Sequence, residues 1–291
     1  AAPAGVTGVI AVLGGLGAAF AWAIAILCTS RSTRMIGTAS VLASVMLVGL
    51  AVTLPFVVAT GVPDLDAGTA ALLLGAGLTS VVGLTLIYTA LRTGKVGIVA
   101  PIVATEGAIA AVIAVLTGET IAAGTAVTLA LIVLGVVLSA AEREPEDAVG
   151  GSGVVGRAAA LAIGAAVCFG TGIYLIGRVS DDVPVPWAIL PTRLLGVLAI
   201  SLPVLLTSRL RLTRRAVPYI VVGGIAEVAG LASFTLGARH GIAVSAVLAS
   251  QFAAVGAVAA YLFLGERLTR VQVAGAATIT VGVALLSWLQ A

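Results

Sequence analysis

The chain has 291 residues, 60% of them hydrophobic and only 9% charged, with a mean hydropathy of +1.23, whereas an ordinary soluble domain carries roughly a quarter charged residues. This excludes a water-soluble globule and marks a membrane protein. The net charge of +3 and pI near 9.2 come from basic residues scattered among loops rather than gathered into one stripe, so no nucleic-acid partner is implied.

A bilayer core of about 30 Å takes about 20 mostly apolar residues to cross as a helix. Polar or turn-rich breaks delimit ten such stretches, at about 8–28, 37–60, 67–91, 96–117, 121–141, 157–178, 187–207, 216–238, 242–264 and 269–289. The first carries Trp22, and the third carries Ser80 and, near its end, Tyr88. Near the middle of the fourth, in PIVATEGAIAAVIAV, stands Glu106, with no other charge for about ten residues on either side; Pro101 is expected to bend that helix. Glu119 follows its end and is expected to hold the next helix by its N-terminal dipole, as is Glu266 after span nine. The connection 142–156, EREPEDAVGGSGVVG, is charged and Gly-rich, as a surface linker is. Beyond it, span six carries Phe169, span seven Arg193, span eight Glu227 and span nine Gln251. His240, the one histidine, is read as interfacial, and Cys28 and Cys168, with neither metal nor redox spacing, as small apolar residues.

The chain repeats itself. Gly118-Glu119 recurs as Gly265-Glu266, 147 residues on, and at that offset Gly17-Ala18-Ala19 meets Gly164-Ala165-Ala166, Gly83 meets Gly230, Arg92 meets Arg239 and Gly135 meets Gly282. Matches from the first span to the last imply a duplicated five-helix unit, 1–141 and 157–291, and assign the first span to the fold rather than to a signal peptide. An odd number of helices per unit makes the second copy enter the membrane from the opposite side. The expectation is an all-α polytopic membrane protein of ten transmembrane helices, two inverted five-helix repeats around a central cavity, the architecture of many secondary transporters.

Of the 15 Lys and Arg, all but Arg178, Arg193 and Arg239 lie in connections after odd-numbered spans. The positive-inside rule puts those connections in the cytoplasm and both termini outside. The cluster SRLRLTRR, Ser208 to Arg215, is most simply a topology anchor, with anionic-lipid binding as the second reading.

The segments YTALRTGKVGIVAPIVA, TGETIAAGTAVTLALIVLGVVL and LGERLTRVQVAGAATITVGVALL resemble the two EamA-type repeats of the drug/metabolite transporter superfamily, and the resemblance covers nearly the whole chain. It implies ten helices in a basket around a central cavity and movement of small metabolites or drugs, often as export, in the cytoplasmic membrane of a bacterium. It also implies cytoplasmic termini, opposite to the charge count. Gly118-Glu119-Thr120 departs from Gly265-Glu266-Arg267 in lacking a nearby basic residue.

An ionisable group at a helix centre costs roughly 2.5–3.5 kcal/mol to insert and needs a cavity or a partner. Glu106, Glu227 and Arg193 are the candidates, and their repeat counterparts, Ala253, Ser80 and Met46, are all uncharged. Burial disfavours the charged form of a carboxylate, so Glu106 or Glu227 is expected to exchange a proton and bind a cationic substrate as the cavity alternates between wet and closed. The competing reading is an Arg193–Glu227 ion pair that only locks two helices. Trp22 and Phe169, 147 residues apart, are a candidate aromatic sandwich, and Gln251, Ser80 and Tyr88 candidate hydrogen-bonding partners of substrate, with packing or interfacial anchoring the alternative for each.

The reading is a secondary transporter of small molecules, expected to export with protons as coupling ion. The alternatives are an uncoupled facilitator or uptake permease, a flippase for lipid-linked substrates, and a non-transporting assembly partner. No His-Glu-x-x-His or Walker A stretch occurs, and neither enzyme chemistry, a cofactor nor a metal is expected. The partners implied are substrate, protons and membrane lipid; substrate identity and oligomeric state stay open.

Overall fold

A computed structural model of the protein describes residues 4–93, 99, 102–140, 152–252, 254–256, 258 and 270–290. Every regular element among them is helical: α1 (Ala4–Ile36), α2 (Thr38–Thr60), α3 (Ala67–Thr93), α4 (Glu106–Leu116), α5 (Ala123–Ala140), α6 (Ser152–Arg178), α7 (Val185–Leu206), α8 (Val217–Ala238), α9 (Ile242–Ala249) and α10 (Arg270–Gln290). Six described helices are long and apolar enough to cross a membrane, namely α1, α2, α3, α6, α7 and α8. Pro101, Glu266 and Arg267 lie outside the described residues.

Local chemistry sets several ends. Gly37 and Gly61, at φ of 81° and 69°, punctuate α2 on either side, a conformation that only glycine enters cheaply. Asp66 starts α3 by accepting from the Thr69 backbone N–H at 2.8 Å and the Thr69 hydroxyl at 3.0 Å, and these bonds hold its carboxyl below the usual range. α7 widens to a π-turn at Val197–Ser201, where the Leu202 N–H reaches back to the Val197 carbonyl. Pro203, two residues on, has no N–H to continue the regular ladder and its ring crowds the carbonyl four residues back. The Ser201 hydroxyl, brought inward there, bonds the Ala43 carbonyl of α2 at 2.9 Å.

Packing recurs in pairs exchanged by the 147-residue shift. α1 lies along α8 as α3 lies along α6; α1 meets α9 as α6 meets α4; α2 meets α8 as α7 meets α3. α5 packs on α10, α4 on α9 and α2 on α7, each helix against its own counterpart. The contacts match residue by residue. Gly83 seats Phe169 while Gly230 seats Trp22, Gly135 seats Ile279 while Gly282 seats Ile132, and Gly77 seats Leu195 while Gly224 seats Val48. Small residues where helices touch are what membrane packing requires, since lipid gives no hydrophobic drive to bring helices together.

Candidate functional site

Helices four and nine are where expectation and structure part. A continuous helix at 96–117 would place Glu106 mid-helix. Instead the chain turns at Ala104–Thr105, where the Thr105 N–H and hydroxyl both bond the Ile102 carbonyl, at 3.1 and 2.7 Å, and α4 begins afresh at Glu106. Span nine breaks likewise: α9 stops at Ala249 and the chain turns at Ser250–Gln251, where the Ser250 hydroxyl bonds the Val247 carbonyl at 2.8 Å. Gln251 is the repeat counterpart of Ala104, so both breaks fall at one place in the repeat.

The breaks touch. A Cβ on Gly107 would run into the Ala246 carbonyl and come within 2.7 Å of the Ser250 side chain, and one on Gly170 of α6 would come within 2.6 Å of the Glu106 carbonyl. Because these neighbours are largely backbone, Gly107→Ala is expected to cost about 1–3 kcal/mol through forced displacement. Gly156→Ala, with nothing within 4 Å of its Cβ position, is expected to be neutral or stabilising, since alanine is the better helix former. Thermal unfolding of both variants in detergent separates packing from propensity.

Glu106 is 6% exposed and opens the first turn of α4. A carboxylate there is favoured by the unpaired N–H groups of the helix start, which gives this charge a local reason to be tolerated. Among the described residues it has no ion-pair partner. Glu227, in the middle of α8, pairs with Arg193 of α7, Nη2 to Oε2 at 3.2 Å. The pair is lopsided, with the Arg193 side chain 6% exposed and that of Glu227 32%. Arg193 Nη1 also donates to the Met46 thioether of α2 at 3.8 Å, and its Nε is buried with no partner. Gly49 leaves room for it, since a Cβ there would lie 3.0 Å from the Arg193 Cδ. Glu227 is close enough for its charge to act on both Glu106 and Tyr88. One group on each of α3, α4, α7 and α8 therefore belongs to a single electrostatic neighbourhood: Tyr88, Glu106, Arg193 and Glu227.

The other sequence candidates are placed around it. Gln251 is 2% exposed with its amide nitrogen unpartnered. Trp22 packs edge-on to Phe252, centroids 6.1 Å apart at 86°, and against Gly230, whereas Phe169 sits on Gly83 in a different apolar cluster. The two rings thus rest on separate neighbours. Ser80 of α3 is half-buried and looks toward Gly172 of α6, and His240 is exposed at the end of α8. Both cysteines are half-buried and free.

Sequence reasoning missed three contacts. Met46 under the guanidinium is apolar by type, and its only signal was that it is the repeat counterpart of Arg193. Arg239 is a clamp, donating to the Ser180 and Val183 carbonyls at 2.7 and 3.2 Å. Glu119 grips the start of α9 rather than the helix that follows it, accepting from the Ala243 N–H at 3.1 Å. Burial pushes its carboxyl up against the downward pull of the Ala243 and Ile242 N–H groups. Glu119→Ala is expected to cost about 1 kcal/mol as a lost helix cap. Glu119→Gln keeps the acceptor. Because the folded state raises the Glu119 value, wild type loses stability relative to Glu119→Gln as pH rises through that value, and the two converge in acid. Unfolding midpoints across pH check both.

The comparisons agree with this architecture. A solved structure described as "Crystal structure of protein" superposes with a TM-score of 0.79 at 18% identity, covering 96% of each chain, a likeness of fold. No curated protein matches the chain. The model of the EamA-like transporter family matches twice, over residues 9–141 and again over 156–288. With the two matches together spanning most of a chain whose described elements are all helical, six of them long and apolar enough to cross a membrane, the protein belongs to the EamA-like transporter family and is an integral membrane transporter.

Proposed function

We propose that the protein exports small metabolites or drugs across the cytoplasmic membrane of a bacterium by alternating access, in exchange for protons. Its ten spans form two inverted five-helix repeats, 1–141 and 157–291, joined by 142–156. The reciprocal contacts support this, because two copies that exchange partners under one shift can also exchange conformations, turning an inward-facing cavity outward. The matched breaks in helices four and nine support it too, since discontinuous helices at corresponding points of two repeats are where such transporters bind their cargo.

One observation carries the reading: Glu227 is held by Arg193 at 3.2 Å on one side and yet stays a third exposed, in the same part of the fold as the buried Glu106. Two carboxylates and one guanidinium leave the neighbourhood one negative charge in excess if both acids ionise. A proton or a cationic substrate group neutralises that excess, so binding of one displaces the other. This is antiport. Glu106, lacking an ion pair among the described residues, is the proton carrier; Glu227, with Tyr88, Gln251 and Ser80 as hydrogen-bonding side chains and Trp22 and Phe169 as apolar walls, receives the substrate.

The test is a solute screen in proteoliposomes under an imposed pH gradient, read with an internal pH dye. Proton movement that starts only when a solute is added supports the proposal. Solute flux indifferent to the gradient would overturn coupling and leave a facilitator.

A further inference from the structure

A groove of about 570 Å³ runs between the end of α1 and the start of α8, lined by Cys28, Met35, Arg215, Pro218, Tyr219 and Val222. It lies apart from the charged neighbourhood, which these residues do not share. Pro218, Tyr219 and Val222 share one face of α8, Arg215 stands in the turn just before it, and Cys28 and Met35 are seven residues apart on one face of α1. The walls continue into side chains that a membrane protein turns to lipid: Phe20 and Ile24 of α1, 58% and 48% exposed, and Val221 and Ile225 of α8, 38% and 46% exposed.

The groove is apolar below and cationic at one end. Arg209, Arg211, Arg214 and Arg215 precede α8 with no acidic residue from Leu206 to Val222. Among the described residues none of the four has an ion-pair partner, and all four are exposed. Their loop is pinned rather than loose. The Arg211 N–H donates to the Ser40 hydroxyl of α2 at 3.0 Å, that hydroxyl reaches the Arg209 carbonyl at 3.5 Å, and Ala216 is buried among Ile36, Val41, Val45 and Ile220. An exposed arginine on a pinned loop, beside a tyrosine and next to an apolar slot, matches one molecule in a membrane: a lipid with an anionic headgroup and an acyl chain.

We infer that the α1–α8 groove binds an acidic phospholipid, its phosphate at Arg215 and Tyr219 and an acyl chain along Cys28, Met35 and Val222. The groove belongs to the outer wall of the fold and does not depend on the transport reading. Charge complementarity selects the headgroup, and the apolar walls select a lipid over free phosphate.

Native mass spectrometry and thermal unfolding of detergent-purified protein test this with three additions: phosphatidylglycerol, phosphatidylcholine and inorganic phosphate. Phosphatidylglycerol is expected to be retained and to raise the unfolding midpoint, phosphatidylcholine and phosphate to do neither. Arg215→Gln is expected to weaken phosphatidylglycerol retention about fivefold, the effect of one basic residue at an anionic surface. Val222→Phe, which fills the slot and leaves the charge, is expected to weaken it as well. Equal retention of the two lipids, equal stabilisation by phosphate, or wild-type retention in both variants would overturn the assignment.

Discussion

Glu106→Gln is expected to reduce solute-driven proton movement to the level of protein-free vesicles while solute exchange at equal pH on both sides continues. The substitution keeps the size and the hydrogen-bonding oxygen of a side chain that is 6% exposed, and removes only its ability to take up and release a proton. Its structural cost is small. The first turn of α4 loses a carboxylate worth about 0.3–1 kcal/mol against the helix dipole, offset by the roughly 2.5–3.5 kcal/mol that an intramembrane charge costs to insert. An unfolding midpoint equal to or above wild type is therefore expected. Lost coupling with retained stability separates this result from misfolding. If Glu106→Gln moved protons at the wild-type rate, the carrier would lie elsewhere, and the acid would be explained by the helix start alone.

Much of this was legible in the sequence because bilayer thickness sets the length of each apolar stretch, so α2, α6 and α8 fall within a few residues of the spans read from composition. The repeat offset was legible for a similar reason: paired glycines survive where helices touch, and Gly83 against Phe169 mirrors Gly230 against Trp22. The Arg193–Glu227 pair was foreseeable because two rare charges in apolar helices have few other partners. The bend of helix four was announced by Pro101, three residues before the turn at Ala104–Thr105, but the break in helix nine was not legible. Ser250 and Gln251 carry no proline or glycine to announce a turn, and the turn there packs against Gly107 from the other half of the chain. The same holds for Glu119, whose helix lies 124 residues away. Contacts of that kind arise from tertiary packing, and local propensity contains no trace of them.

The Arg193–Glu227 pair is expected to respond unequally to loss of its two members. Glu227→Gln strands a guanidinium that is 6% exposed and already has an unpartnered Nε. Removing one partner of a buried pair costs about 3–5 kcal/mol, and Glu227 at 32% exposure argues for the lower end, about 3 kcal/mol. Arg193→Met strands instead a carboxylate that is already 32% exposed, and places beside Met46 a second thioether of similar length; about 1 kcal/mol is expected, since the remaining charge keeps much of its water. The double variant is expected to unfold close to wild type or above it, because an apolar replacement of a buried pair is commonly neutral or stabilising by about 1–4 kcal/mol. Denaturant unfolding of the four proteins in detergent gives the coupling energy directly. Transport by the double variant then decides what the pair is for. Recovered stability with lost solute flux assigns Glu227 to the substrate. Recovered stability with wild-type flux would make the pair a lock between α7 and α8, and would leave Glu106 as the one carboxylate the transport cycle needs.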